Sequence, residues 1–237
     1  MPSTLLDVQN LNVYYGSAHT LQGVNMTVGD ASIALVGRNG MGKTTLCKAL
    51  IGLVPTAGGE ILFEGKSLIG RKPYQIASLG IGYVPQGRRI FPSLTVHEHL
   101  LLMAGRDRSQ KRRWTVENVY ELFPPLAVRR KVGAGTLSGG EQQMLAIGRA
   151  LLTDARLLIM DEPSEGLAPV VVDHLLETLK RLSTEGIGMF VVEQKLSVAA
   201  ALAEQVLVMV SGRIVLETSS PALLADEEAK RRYLGVS

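Results

Sequence analysis

"SIALVGRNGMGKTTLCKAL", Ser32 to Leu50, decides the architecture of this chain. An apolar run stops at Gly37, a glycine-rich turn follows, and helical spacing starts at Lys43, so the stretch reads as strand, loop and helix. The turn satisfies G-x-x-x-x-G-K-[ST] with Gly37, Gly42, Lys43 and Thr44. Glycines let such a loop wrap a phosphate chain with its N–H groups turned inward. Lys43 then sets a point charge between β- and γ-phosphates, and the Thr44 hydroxyl can ligate Mg²⁺. Arg38, Asn39, Gly40 and Met41 complete the loop, and Thr45 adds a hydroxyl donor beside it.

On either side of this turn the pattern divides. "LLDVQNLNVYY", "TLQGVNMTV" and "ASIALVG" are short β-rich runs before it, for which antiparallel pairing is the simplest expectation. After it come a helix from Lys43 to Gly52, a hairpin around "EILFEGKSL" and a compact strand at "GIGYVP". Leu94 to Val132 shows no strand: "LTVHEHLLLMA" and "TVENVYELF" have helical spacing, with the polar "GRDRSQKRR" between them and Pro124-Pro125 closing the second. Strand and helix alternate again through "RLLIMDEP", a helix from Pro169 to Thr184, "GMFVVE", a helix from Lys195 to Ala203, "QVLVMV" and "RIVLE". That alternation implies an α/β fold with a mostly parallel sheet, joined here by an antiparallel β subdomain and an inserted helical lobe of about 88–152. With neither repeats nor a low-complexity linker, residues 1–237 are expected to form one domain.

Composition excludes more than it identifies. Hydrophobic residues at 46% and charged residues at 20% describe a globular chain, and 237 residues suffice to bury a core. The net charge of +3 is small, and the basic runs Lys111 to Arg113 and Arg129 to Lys131 lack interleaved aromatics. They read as solvated helix faces, and no nucleic-acid partner is expected. Cys47, the single cysteine, lies in an apolar-periodic helix and reads as a buried structural thiol. No apolar run reaches the roughly 18 residues of a membrane span, and no signal segment opens the chain.

Two further motifs carry chemistry. "RLLIMDEP" is an apolar strand that ends in adjacent acids, where the turning chain lets both reach the crevice above a parallel sheet. Asp161 suits the coordination of Mg²⁺, and Glu162 is placed to orient and deprotonate a water for attack on a γ-phosphate. "TLSGGEQQMLAIGRAL", Thr136 to Leu151, opens a long helix with a serine and two glycines, a second start that presents backbone N–H groups to an anion. His97 and His99 stand i,i+2 on a helix, hence on different faces, and read as surface or contact residues.

Phosphate loop, "LSGGEQ" at Leu137 to Gln142 and "LLIMDEPSEGL" at Leu157 to Leu167, in that order, resemble the nucleotide-binding subunit of an ABC transporter. The resemblance implies a P-loop ATPase in which each active site is shared, so that Ser138, Gly139, Gly140 and Glu141 would face outward and meet ATP bound to another subunit. It also implies that Tyr15 stacks on adenine, although Tyr14 beside it could equally be core. Gln86 would be the lid glutamine that links Mg²⁺ to the membrane partner, and Ser164 to Leu167 the loop that meets the opposite subunit. The family usually places a histidine where "VVEQK" has Gln194.

Over essentially the whole chain, "GRRIFPSLTVHEHLLL", "VYELFPPL", "EPSEGLAP" and the terminal "YLG" resemble the LivF-type subunit of branched-chain amino acid importers, a lineage in which glutamine is typical at that switch position. Close relatives serve urea or short amides. The implied protein binds ATP and Mg²⁺, hydrolyses ATP, and sits peripherally on the cytoplasmic face of the inner membrane. Its implied partners are two permease chains, a second ATPase subunit (sister or copy) and, indirectly, a solute-binding protein. Two other classes compete. A non-transport ABC ATPase of DNA repair would carry a long coiled coil between the motifs, and one of translation would carry two such domains; a small-molecule phosphotransferase would leave "LSGGEQ" unexplained.

Overall fold

The computed structural model describes residues 4–104 and 113–235. In chain order the elements are β1 (Leu6–Tyr15), β2 (Ala18–Val28), β3 (Ile33–Val36), α1 (Lys43–Leu50), β4 (Gly58–Phe63), β5 (Lys66–Ser67), α2 (Pro73–Ala77) and β6 (Ile81–Val84). The helical segment then supplies α3 (Val96–Ala104), α4 (Val116–Leu122), α5 (Pro124–Val128) and, after a 3₁₀ turn, α6 (Gly139–Leu151). There follow β7 (Leu157–Asp161), α7 (Pro169–Thr184), β8 (Gly188–Glu193), α8 (Leu196–Leu202), β9 (Gln205–Val210), β10 (Arg213–Ser219), α9 (Ser220–Ala225) and α10 (Glu227–Ala229).

Two sheets result. The four-stranded one is antiparallel in the order β2-β1-β4-β5, and the six-stranded one runs β10-β9-β3-β8-β7-β6. β3 corrects the sequence expectation: it does not pair with β1 or β2 but lies parallel between β8 and β9. Its four residues are all buried, so its pattern shows no alternation to distinguish faces. Only β10 runs antiparallel in the larger sheet.

Side-chain alternation makes that sheet a wall between cores. On β8, Phe190 and Val192 join the cluster packed toward the antiparallel sheet and α1, while Met189 and Val191 join the cluster with α3, α4, α6 and α7. On β7, Leu157 and Ile159 divide from Leu158 and Met160 in the same way. Both layers therefore press on the strands that end at the acids.

Several local readings change. Pro124-Pro125 does not only end α4; it opens α5, because proline suits the first helical turn, where its missing N–H would be unpaired. Arg129 to Lys131 lie in the turn after α5 and not on a helix face. Lys111 and Arg112 lie outside the described residues. α1 ends at Leu50, two residues before the expected Gly52. His99 is no surface residue: it is buried, and its Nε2 lies 2.9 Å from the carbonyl oxygen and 3.2 Å from the amide nitrogen of Phe91. Burial lowers its pKa. Cys47 is fully buried, as expected.

Candidate active site

Parallel strands leave their carboxyl ends on one edge, and that edge is where the candidate residues meet. β3 runs into the phosphate loop, β7 into Asp161 and Glu162, β8 into Gln194 and β6 into Gln86. β8 lies between β3 and β7, so Gln194 stands between loop and acids. The loop, Glu162, Gln194 and Gln86 border a cavity of about 330 Å³, within the range of about 300–1,000 Å³ usual for small-ligand clefts, while Asp161 does not line it. Asn39, Gly40, Gly42, Lys43, Thr44 and Thr45 line it from the loop, with Gln86, Glu162 and Gln194 opposite.

The loop is held from behind. Gly42 caps α1 at φ 104, a left-handed conformation that glycine adopts without strain. The Met41 carbonyl accepts from Gly212 N at 2.9 Å and its sulfur from Ser211 N at 3.2 Å, which pins the loop to the β9–β10 turn. Met41 is thus a packing residue, and Gly37, Arg38 and Met41 do not line the cavity. The exposed Arg38 instead borders Gly235 near the C-terminal end, where an added Cβ would sit 3.5 Å from the guanidinium.

Lys43 is only 4% exposed, and its Nζ donates to the carbonyls of Gly37 at 2.8 Å and Arg38 at 3.1 Å. The same Nζ lies 3.7 Å from Glu162 Oε1. Glu162 Oε2 accepts from Gln194 Nε2 at 2.6 Å and Gln86 Nε2 at 3.2 Å. A φ of 52 at Glu162 turns it out of the strand, so that two adjacent acids do not point to opposite faces.

Asp161 Oδ1 accepts from the Thr44 hydroxyl at 3.2 Å, while its buried Oδ2 has no hydrogen-bond partner. Burial, with Glu162 nearby, pushes this carboxyl upward against the Thr44 hydrogen bond. An orphaned carboxylate oxygen beside a hydroxyl fits a hard cation that prefers oxygen ligands. Among the described residues no group of three or more His, Cys, Asp or Glu side chains could hold a metal, so phosphate and water oxygens would have to complete the shell.

Ser138 to Glu141 do not line this cavity. Ser138 is exposed and caps α6: its hydroxyl accepts from Glu141 N at 3.3 Å, and Glu141 Oε2 accepts from Ser138 N at 2.8 Å. Glu141 also pairs with Arg129 at 2.8 Å, so its carboxylate is engaged within the subunit. Gly140 departs from the outward orientation expected of it: it is buried against α7, where a Cβ would come within 2.7 Å of Val171. Tyr14 and Tyr15 are both exposed; Tyr14 stacks on His19 at 4.2 Å, so neither is core.

Sequence reading missed Thr20 in the cavity wall and Glu193 behind it; Glu165, read only as part of the loop meeting the opposite subunit, also lines the wall, and the Arg88 guanidinium donates to its carbonyl at 3.0 Å. No motif marks Thr20. Glu193 had one signal, an acid closing the otherwise apolar run "GMFVVE".

The ABC transporter family profile matches residues 21–165. The chain belongs to the ABC transporter family. The cassette is 40% identical over 232 residues to the high-affinity branched-chain amino acid transport ATP-binding protein BraG of Pseudomonas aeruginosa, across 98% of this chain and 100% of that one. It is 32% identical over 234 residues to the probable branched-chain amino acid transport ATP-binding protein LivF of Archaeoglobus fulgidus, across 98% and 99%. It is 31% identical to the lipopolysaccharide export ATP-binding protein LptB of Haemophilus influenzae, across 98% of each chain. Among solved structures, a nucleotide-free ATP-binding cassette from an ABC transporter matches with a TM-score of 0.85 at 25% identity, over 99% of both chains. This protein is an ABC-type ATPase subunit of transport, as the motifs implied, and the repair, translation and phosphotransferase readings are not favoured. No helix among the described residues is long and apolar enough to cross a membrane.

Proposed function

We propose that this cassette energises an importer of branched-chain amino acids or a related small polar solute such as urea or a short amide. It works as a single domain at the cytoplasmic face of the inner membrane with two permease chains, a second ATPase subunit (sister or copy) and a solute-binding protein that acts through the permeases. The likeness to BraG along both full chains supports the solute class.

One observation carries the mechanism: Lys43, Thr44, Asp161 and Glu162 converge on one edge of the sheet, while Ser138 and Gly139 lie outside the cavity lining. ATP enters the cavity with its phosphates on the loop, and Lys43 exchanges the Gly37 and Arg38 carbonyls for phosphate oxygens. Thr44, Asp161 and Gln86 are the residues that would hold Mg²⁺, whose chemistry is to neutralise charge on the phosphates. Glu162 accepts a proton from the attacking water as its oxygen bonds to the γ-phosphorus and the bond to ADP breaks. Ser138 and Gly139 reach the γ-phosphate of the partner's ATP, held in that posture by the Glu141 cap and by Gly140 on α7. Tyr15 is left as the adenine platform. The helical segment of about 88–152 transmits closure to the permeases.

The test is purification with the permease chains and reconstitution in vesicles with the binding protein. Leucine, isoleucine or valine, or else urea or acetamide, is expected to stimulate ATPase activity. Absence of permease association together with no stimulation by any of these solutes would overturn the proposal.

A further inference from the structure

Glu193 closes a strand that is otherwise apolar, and it is 2% exposed. A buried charge is costly unless several donors meet it, so an acid retained in such a place has to be explained by its partners. Its Oε1 accepts from Ser164 N at 3.0 Å and its Oε2 from Gln194 N at 3.3 Å, with the Ser164 hydroxyl also favouring the anion. A carboxylate is the side chain suited to this, because both oxygens only accept. An amide in its place would turn an N–H toward one of two backbone N–H groups.

The contacts form a closed bracket around the Glu162 carboxylate. Glu162 N donates to Val192 O at 2.9 Å, which fixes its backbone to one side of Glu193. Gln194, on the other side, donates its side-chain amide to Glu162 Oε2. Gln194 is itself exposed, so packing does not aim it; its direction follows from where its backbone is held. Ser164 brings the segment after Glu162 into the same bracket.

We propose that Glu193 is a positioning residue: its carboxylate holds the Gln194 backbone and the segment around Ser164 together, and so aims the Gln194 amide at Glu162. The inference rests on the reading of Glu162 as the group that takes the proton from water. Glu193 touches neither ATP nor the attacked water, and acts wholly through Gln194 and Ser164. Burial opposes the arrangement by raising the Glu193 pKa, and the nearby negative charge of Glu162 adds to it. An anchor needed only for folding could be neutral, whereas two backbone donors at once require the carboxylate.

The experiment is a double-mutant cycle in steady-state ATPase of the assembled complex, with thermal melting of each variant. Glu193→Gln is expected to lower kcat about 5- to 10-fold with KM for ATP within about twofold of wild type. Added to Gln194→Ala, it is expected to cost less than a further twofold, since the group it acts through is already gone. Ser164→Ala, which trims one donor and spares the fold, is expected to lower kcat about two- to threefold and to be equally silent in the Gln194→Ala background; it carries the comparison should Glu193→Gln not fold. Full additivity with Gln194→Ala, or wild-type kcat in both single variants, would overturn the inference. An active wild type beside an inactive Lys43→Ala and Glu162→Gln shows that the reading of the site stands apart from this result.

Discussion

Gln194→Ala removes one hydrogen bond from the carboxylate that is to take a proton from water, and its effect can be worked out from the contacts. Wild-type Glu162 Oε2 has donors at 2.6 Å from Gln194 and 3.2 Å from Gln86, and Oε1 has Lys43 at 3.7 Å. Two consequences oppose each other. A donor stabilises the anion, so losing it makes Glu162 a stronger base; it also fixes where the anion points. The gain in basicity is small, because Gln86 and Lys43 still face the carboxylate. The orientation has no substitute, because the remaining amide is the longer contact. Hydrogen bonds to charged groups contribute about 1.5–3 kcal/mol. A fall in kcat of roughly 10- to 100-fold, about 1.4 to 2.7 kcal/mol, is expected. KM for ATP should stay near wild type, since the phosphate contacts lie on the loop at Gly40 to Thr45. Gln194→His should keep substantial activity, because imidazole offers a similar donor. The assay is steady-state ATPase across ATP concentrations in the assembled complex. An alanine variant as fast as wild type, or a loss residing wholly in KM, would refute the reasoning.

Lys43→Ala should abolish ATP binding by calorimetry, since the loop's N–H groups alone leave the phosphate charge poorly compensated; near-normal affinity would contradict its role. Glu162→Gln should bind ATP but not hydrolyse it, so that ATP-bound pairs accumulate in size-exclusion chromatography with Mg²⁺, and wild-type turnover would remove Glu162 as the base. Ser138→Arg should bind ATP yet not turn it over, and mixing it with Lys43→Ala should restore activity, because a mixed pair has one site free of both defects; no recovery in proven mixed pairs counts against a shared site. Burial, with Asp161 adding, raises the Cys47 pKa well above 9.0, so the native thiol should resist alkylation at pH 8 and react on unfolding. The sign for stability follows: the unfolded thiol ionises first, so this contribution is present below pH 9 and is lost as pH rises beyond it.

The parts of the site that were legible in the sequence are those whose chemistry demands a fixed spacing. The phosphate loop, the acids ending β7 and the serine cap of α6 each have a local pattern that forces a local geometry. What escaped depends on packing between distant segments. Four buried residues in β3 show no face, so their neighbours could not be chosen by pattern alone. The i,i+2 spacing of His97 and His99 says that two side chains diverge but not which one turns inward. Gly140 shares a motif with its outward neighbours, yet a helix position one residue on faces a different way and here meets Val171. Pro124-Pro125 both closes α4 and opens α5, and a proline pair in a sequence does not say which of the two it marks. Thr20 enters the site through the meeting of segments far apart in the chain, for which no short motif exists.

The strand order also bears on how the protein is made. β3 emerges from the ribosome early, yet both of its neighbours, β8 and β9, begin at residues 188 and 205. At roughly 5–20 residues per second, the gap from residue 36 to residue 188 lasts on the order of 8–30 s. For that interval the phosphate loop has no sheet behind it, and the acids of β7 have no strand between them and the loop. A nascent chain therefore cannot bring the loop and the acids together on this sheet until β8 has been synthesised. The same delay leaves a fully apolar strand unpaired through that interval, and it is there that a trigger for chaperone capture or for aggregation should be sought.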